Sequence, residues 1–95
     1  MTQKLVQAGT LESNDIHITA EIKPAAYGIQ IELSSAVLAQ YGHDIEQSIR
    51  KIITQSGIQD GLHIVANDKG ALNCTIDARM KTALARLGLM VKEAN

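Results

Sequence analysis

From Asp15 to Lys23 apolar and polar residues alternate without a break, with Ile16, Ile18, Ala20 and Ile22 on one side and Asp15, His17, Thr19, Glu21 and Lys23 on the other. A period of two is that of a strand with one wet face. Pro24 has no N–H to give to a ladder and ends the run, and alternation resumes from Gly28 with Ile29, Ile31 and Leu33 inward. The two runs read as an antiparallel hairpin. Upstream, Leu5 to Leu11 alternates more weakly and reads either as a further strand or as an extended arm. Glu12-Ser13-Asn14-Asp15 has the composition of a turn, in which Asn tolerates a left-handed backbone, so Ser13 is expected at an exposed turn.

After Ser34-Ser35 the period changes. Leu38, Tyr41, Ile45, Ile49, Ile52 and Ile53 recur every three or four residues, as one face of a helix requires, and Gly57 supplies the stop. Gly42 weakens the start of this run, while Asp44 followed by Gln47 resembles a capping pair, so a short turn and then a helix from about Asp44 to Ser56 competes with one continuous helix. Between Gly61 and Asp68 the alternation of Leu62, Ile64 and Ala66 with His63, Val65 and Asn67 predicts another strand, after which Asp68 is placed to cap a helix. Leu72, Ile76, Met80, Ala83 or Leu84, and Leu87 form its stripe, Gly88 its stop, and Met90 to Asn95 a frayed tail.

The order strand, strand, strand, helix, strand, helix predicts an α+β fold, a small mainly antiparallel sheet with two helices packed on one face as a two-layer sandwich. Ile45, Ile49 and Ile52 should pack on Ile16, Ile18, Ile29, Ile31 and Ile64, with Leu72, Ile76 and Met80 completing the core. The chain, residues 1–95, is long enough for a single domain, with 45% apolar residues to fill its core.

Composition narrows the function. With no Trp or Phe, only Tyr27 and Tyr41, and a formal net charge of −1, the chain has neither aromatic platforms nor a basic field, so nucleic acid is not an expected partner. No apolar run approaches the roughly 20 residues that span a bilayer, the N-terminus has no secretory pattern, and a membrane partner is not expected. Cys74 is the only cysteine, which fits a reducing cytoplasm, and is expected as a small core or boundary residue. His17, His43 and His63 are scattered without ligand spacing, so no metal site is expected. Ser13 has Glu12 and Asp15 beside it but no neighbouring imidazole, which leaves it short of a serine nucleophile's requirements unless folding brings His17 or His63 close. No residue is expected to be catalytic. As a bare pattern, a serine between acidic residues is a solvated loop more often than an attachment point.

The stretch Ala8-Gly9-Thr10-Leu11-Glu12-Ser13-Asn14-Asp15 resembles the A-G-T-x-E-S-x-D signature of citrate lyase acyl carrier subunits. Asn67-Asp68-Lys69-Gly70-Ala71-Leu72-Asn73-Cys74 is similar to the D-K-G-A-L-D-C block of that family, Ala78-Arg79 to its A-R pair, and Ser34-Ser35 and Tyr41-Gly42 fall where it carries S-S and an aromatic-Gly pair. Asn14 and Asn73 depart from the more usual Gly and Asp.

The resemblance implies a single acyl carrier domain over residues 1–95, a non-catalytic subunit of an enzyme complex in the cytoplasm. It implies that Ser13 carries 2'-(5''-phosphoribosyl)-3'-dephospho-CoA through a phosphodiester, loaded by a prosthetic-group transferase. Its thioester would hold acetyl and citryl groups while the transferase (alpha) and lyase (beta) subunits of citrate lyase convert citrate to oxaloacetate and acetate. Any Mg²⁺ would belong to those partners. The carrier of malonate decarboxylase, which uses the same arm, and an unmodified interaction module are the alternatives. Glu12, Asp15, His17 and Lys23 are candidates for docking, with charge reversal at Glu12 or Asp15 expected to impair loading or transfer without much effect on melting.

Overall fold

A computed structural model describes residues 5–35 and 38–89, the side chains of residues 38–41 excepted. The elements in order are β1 (Leu5–Ala8), β2 (Ile16–Ile22), β3 (Ile29–Ser35), α1 (Leu38–Gln55), β4 (Leu62–Asp68) and α2 (Asn73–Arg86). This is the α+β architecture expected, with the weak N-terminal alternation realised as a strand only as far as Ala8. Among the described residues no helix is long and apolar enough to cross a membrane.

The hairpin does not form. The four-stranded sheet has the order β1-β2-β4-β3, so β4 lies between the two runs that Pro24 separates. β2 pairs antiparallel with β1 and β4, whereas β3 pairs parallel with β4. A parallel pair needs a crossover, and α1 supplies it. Sequence neighbours pair in space only about two-thirds of the time, and the loop from Lys23 to Gly28 is long enough to pass the end of an intervening strand. That loop is pinned where it passes β4, since the Asp60 carboxylate accepts hydrogen bonds from the N–H groups of Ala26 (2.5 Å) and Gly28 (2.6 Å).

Both helices cover the same face of the sheet. The inner residues of β2 and β4 (Ile16, Ile18, Ala20, Leu62, Ile64, Ala66) are fully buried, while the edge strand β3 buries Ile29, Ile31 and Leu33 only in part. From α1 come Ile45, Ile49, Ile52 and Ile53, and from α2 come Ile76, Met80, Ala83 and Leu84. Register stacks these residues in rows across the sheet, such as Ala20, Ile64 and Ile31. The last row is Ile16, Asp68 and Ser35, so the inner face turns polar at one end.

Several local expectations change. α1 is continuous from Leu38, and Gly42 lies buried within it, so the period-four stripe prevails over the capping pair at Asp44. Both helices end where glycine was placed. Gly57 N–H donates to Thr54 C=O and Ile58 N–H to Ile53 C=O; Gly88 N–H donates to Ala85 C=O and Leu89 N–H to Leu84 C=O, the paired bonds of a Schellman motif. Asp68 does not cap α2. It ends β4, and its carboxylate binds the N–H groups of Gly70 (3.1 Å) and Ala71 (3.0 Å) in the following loop. α2 begins after Leu72, whose backbone is extended and which leaves the inner stripe at 70% exposure. Cys74 is exposed, one position outside the buried stripe. The tail from Met90 to Asn95 and the side chains of Leu38 and Tyr41 lie outside the described residues.

Ile49 is fully buried at the centre of α1. Ile49→Ala should therefore cost about 2 to 5 kcal/mol, a large share of the stability of so small a core. Urea unfolding measures it, and a loss below about 1 kcal/mol would contradict the packing of α1 on the sheet.

Candidate functional site

β1 must hand the chain to β2 within seven residues, Gly9 to Asp15, and the sequence of this connection dictates its shape. Gly9 adopts φ +84°, and a Cβ there would lie 1.8 Å from the Ile16 carbonyl oxygen, so no side chain is tolerated. The chain then closes a turn in which Asp15 N–H donates to Glu12 C=O at 3.2 Å. Ser13 and Asn14 are its central residues. Asn14 has φ +66°, a conformation open to Gly or Asn at the third position of a turn. Ser13, at the outer corner, is exposed.

The turn is held by Asp15. Its carboxylate accepts Arg79 Nε–H (3.0 Å) and a second guanidinium N–H (2.9 Å), Thr10 Oγ–H (2.7 Å) and the N–H of Ile16 (2.7 Å). Thr10 Oγ in turn accepts Glu12 N–H at 3.2 Å. The fork of Arg79 fits the two carboxylate oxygens side by side. Hydrogen bonds from Arg79 are the largest cause holding the Asp15 carboxyl far below the ordinary 3.8, partly opposed by desolvation and reinforced by Thr10 and Ile16. Asp15 is thus an internal tie and not the wet docking residue expected from strand parity, for it is only 8% exposed. Its parity places it outward, but it precedes the strand, where the chain bends under α2.

A second stretch meets the turn. Asn14 N–H donates to Lys69 C=O and Lys69 N–H to Asp15 C=O, both at 2.8 Å, which extends the β2–β4 ladder past Asp68 into the loop. Asp68 is 1% exposed and also accepts Ser35 Oγ–H at 2.8 Å. Residues far apart in the chain, 8–15, 34–35, 67–74 and 79, therefore gather at one end of the molecule. In the sequence Ala78-Arg79 stands out only by its resemblance to the family's A-R pair. The available signal was an arginine three residues after Ile76, bordering the apolar stripe where it could face a partner on the sheet.

The other candidates lie elsewhere. Glu12 is exposed beside Ser13, whereas His17 and Lys23 are half-buried on the face of the sheet opposite the helices. His17 contacts Gln7 Oε1 at 3.2 Å, Lys23 pairs with Glu21 at 3.2 Å, and His63 contacts Glu32 at 2.6 Å. Neither imidazole is brought to Ser13 as a base. Among the described residues no three His, Cys, Asp or Glu side chains gather as a metal site. Beside the Ser13 turn, a cleft of about 690 Å³ opens between α1 and the β4–α2 loop, lined by Asp44, Ile45, Ser48, Gly70, Leu72 and Asn73 among others.

A family model described as "Malonate decarboxylase delta subunit (MdcD)", an acyl carrier family, matches residues 3–87. Curated relatives bear the name citrate lyase acyl carrier protein. The chain is 48% identical over 79 residues to that of Lacticaseibacillus casei, covering 83% of this chain and 75% of the relative. It is 45% identical over 80 residues to that of Klebsiella pneumoniae (83% and 79%), and 43% over 84 residues to that of Halothermothrix orenii (88% and 86%).

Two variants test the tie. Asp15→Asn should lower stability by about 1.5 to 3 kcal/mol, the range for hydrogen bonds to a charged group, with Arg79→Ala lowering the urea midpoint in the same direction. Because folding depresses this carboxyl, its contribution is complete above the unfolded value of 3.8 and is lost as acid protonates it, so the parent should lose stability between about pH 5 and pH 2. Asp15→Asn should show a flatter decline over that range. Equal slopes in parent and variant would contradict the assignment.

Proposed function

The chain belongs to the citrate lyase acyl carrier protein family, and from that premise we propose that it serves as the acyl carrier subunit of citrate lyase, with Ser13 as the residue to which the prosthetic arm is joined. The observation that carries this reading is the Ser13 turn itself. An attachment point must offer a hydroxyl to a modifying enzyme and then hold a long substituent clear of the fold. Ser13 meets both needs, standing exposed at the corner of a turn whose next two residues, Asn14 and Asp15, are fixed to Lys69 and Arg79.

The residues present also suit the charge of a 2'-(5''-phosphoribosyl)-3'-dephospho-CoA arm joined through a phosphodiester. A free carboxylate two positions from Ser13 would repel it. Arg79 cancels that charge and confines it below the turn, which leaves Glu12 as the exposed acid next to the attachment point. When bound, the arm supplies a terminal thiol that holds acyl groups as thioesters. In this reading the chemistry belongs to the partner subunits and not to the chain's own residues. Those residues position the arm, and the tether raises the local concentration of its end at partner active sites. Those partners are the transferase and lyase subunits of citrate lyase, with a prosthetic-group transferase for loading, in the cytoplasm. The family model's name supports a second reading, a carrier for malonate decarboxylase, which would use the same Ser13 and differ in the acyl group held.

Ser13→Ala removes an exposed hydroxyl and should change stability by no more than about 0.5 kcal/mol. Reconstituted with the citrate lyase subunits, this variant should support no citrate cleavage, and its intact mass should lack the arm's increment. Citrate cleavage by a complex carrying Ser13→Ala would overturn the attachment reading. Activity of the loaded parent with malonate decarboxylase partners, and none with citrate lyase subunits, would select the second.

A further inference from the structure

The cleft beside the Ser13 turn has walls of mixed character. Ile45, Ala71 and Leu72 are apolar, Gln47, Ser48 and Asn73 carry amide and hydroxyl groups, and Asp44 and Asp68 are acidic. Leu72, which lies outside the core, leaves 70% of its surface exposed there. One wall of the cleft lies beside the Ser13 turn. Asn14 Oδ1 would lie 3.7 Å from a Cβ on Gly70, a residue of the cleft wall, and Asn14 N–H is bonded to the adjacent Lys69 carbonyl. A substituent on Ser13 therefore starts one residue from the cleft's rim, and its amide stretch, which lies beyond the adenosine and diphosphate, reaches the cleft by folding back.

The chemistry of the walls selects which part of the arm can enter. From Ser13 outward this arm runs through a phosphodiester, a ribose, an adenosine and a diphosphate, then an uncharged stretch of two amides joined by short aliphatic links, and it ends in a thiol that holds the acyl group. Asp68 is buried and already bonded by Ser35 Oγ–H and two loop N–H groups, and Asp44 is exposed at the mouth, so phosphates and carboxylate-bearing acyl groups are repelled. The amide stretch is not. Its amides match Gln47, Ser48 and Asn73 as donors and acceptors, and its geminal methyl groups would cover Ile45 and Leu72. The volume, about 690 Å³, is that of a small-molecule site.

We propose that this cleft is a resting site for the uncharged amide stretch of the arm, holding it along α1 between visits to partner subunits while the acyl end stays outside. The inference rests on the reading of Ser13 as the attachment point. The cleft is open to solvent, so the arm would leave it readily, as a carrier that serves more than one active site requires.

Two-dimensional amide NMR on the full chain, unloaded and loaded by the prosthetic-group transferase, tests this, with intact mass read on the same samples. In the loaded chain the amides of Gln47, Ser48, Ala71 and Asn73 should shift, those of Gln30 and Val65 on the opposite face of the sheet should not, and the arm's geminal methyl protons should show contacts to the methyl groups of Ile45 or Leu72. Ser48→Trp, which fills the cleft from an α1 position outside the core, should reduce the shifts at Ala71 and Asn73 severalfold without changing the mass increment. If that variant does not fold, the methyl contacts in the parent decide. A loaded chain whose shifts are confined to residues 11–15, with no methyl contacts, overturns the cleft while leaving Ser13 intact. A chain that gains no mass at Ser13 overturns both readings.

Discussion

The carboxylate of Asp15 is the group on which the Ser13 end of this molecule depends. It ties Thr10, the start of β2 and Arg79 of α2 into one hydrogen-bonded unit, so the connection after β1 has one shape instead of many. That unit joins three parts of the chain that the sheet alone would leave loosely related. Gly9 lets the chain pass against the Ile16 carbonyl, Arg79 spans from α2 over Gly9 to the carboxylate, and the turn that results holds Ser13 outward. Arg86 adds a second link from α2 to this region by donating to the Gln7 carbonyl. Deleting the charge would leave a guanidinium without its fork partner and a turn without its anchor, which is why a residue two positions from an exposed serine matters to the fold.

The sheet order explains why the site lies where it does. With β4 in the centre, parallel to β3 and antiparallel to β2, the carboxyl ends of β3 and β4 meet the beginning of β2 at one edge of the core. The aliphatic rows give way there to Ser35 and Asp68, whose mutual hydrogen bond and loop contacts satisfy a buried carboxylate that would otherwise cost several kcal/mol. The loop that Asp68 shapes forms one wall of the cleft and one support of the Ser13 turn. Packing, turn and cleft are thus consequences of one strand order.

Much of this was legible in the alternation of the strands, the stripes of α1 and α2, the glycine stops and the Asn that tolerates a left-handed turn. Strand order was not, because periodicity tells which face a residue takes and nothing about which strand lies beside it. Three misreadings share another cause, a polar or apolar residue at an element boundary. Asp68 reads as a helix cap but ends a strand, Leu72 reads as core but precedes the helix whose phase would bury it, and Asp15 reads as solvent-facing but lies under Arg79. Parity and period hold inside elements and fail at their ends, where the chain changes direction and long-range partners decide. The family resemblance marked these same residues without saying what they touch.

The central claim, that this tied turn exists to present Ser13 for attachment, is tested most directly by peptide mass mapping of the chain produced together with its prosthetic-group transferase. The account predicts the phosphoribosyl-dephospho-CoA increment on the peptide that contains Ser13, with fragmentation placing it on that serine. An unmodified Ser13 in a chain that carries the increment on Thr10, Ser34 or Ser35 would contradict it.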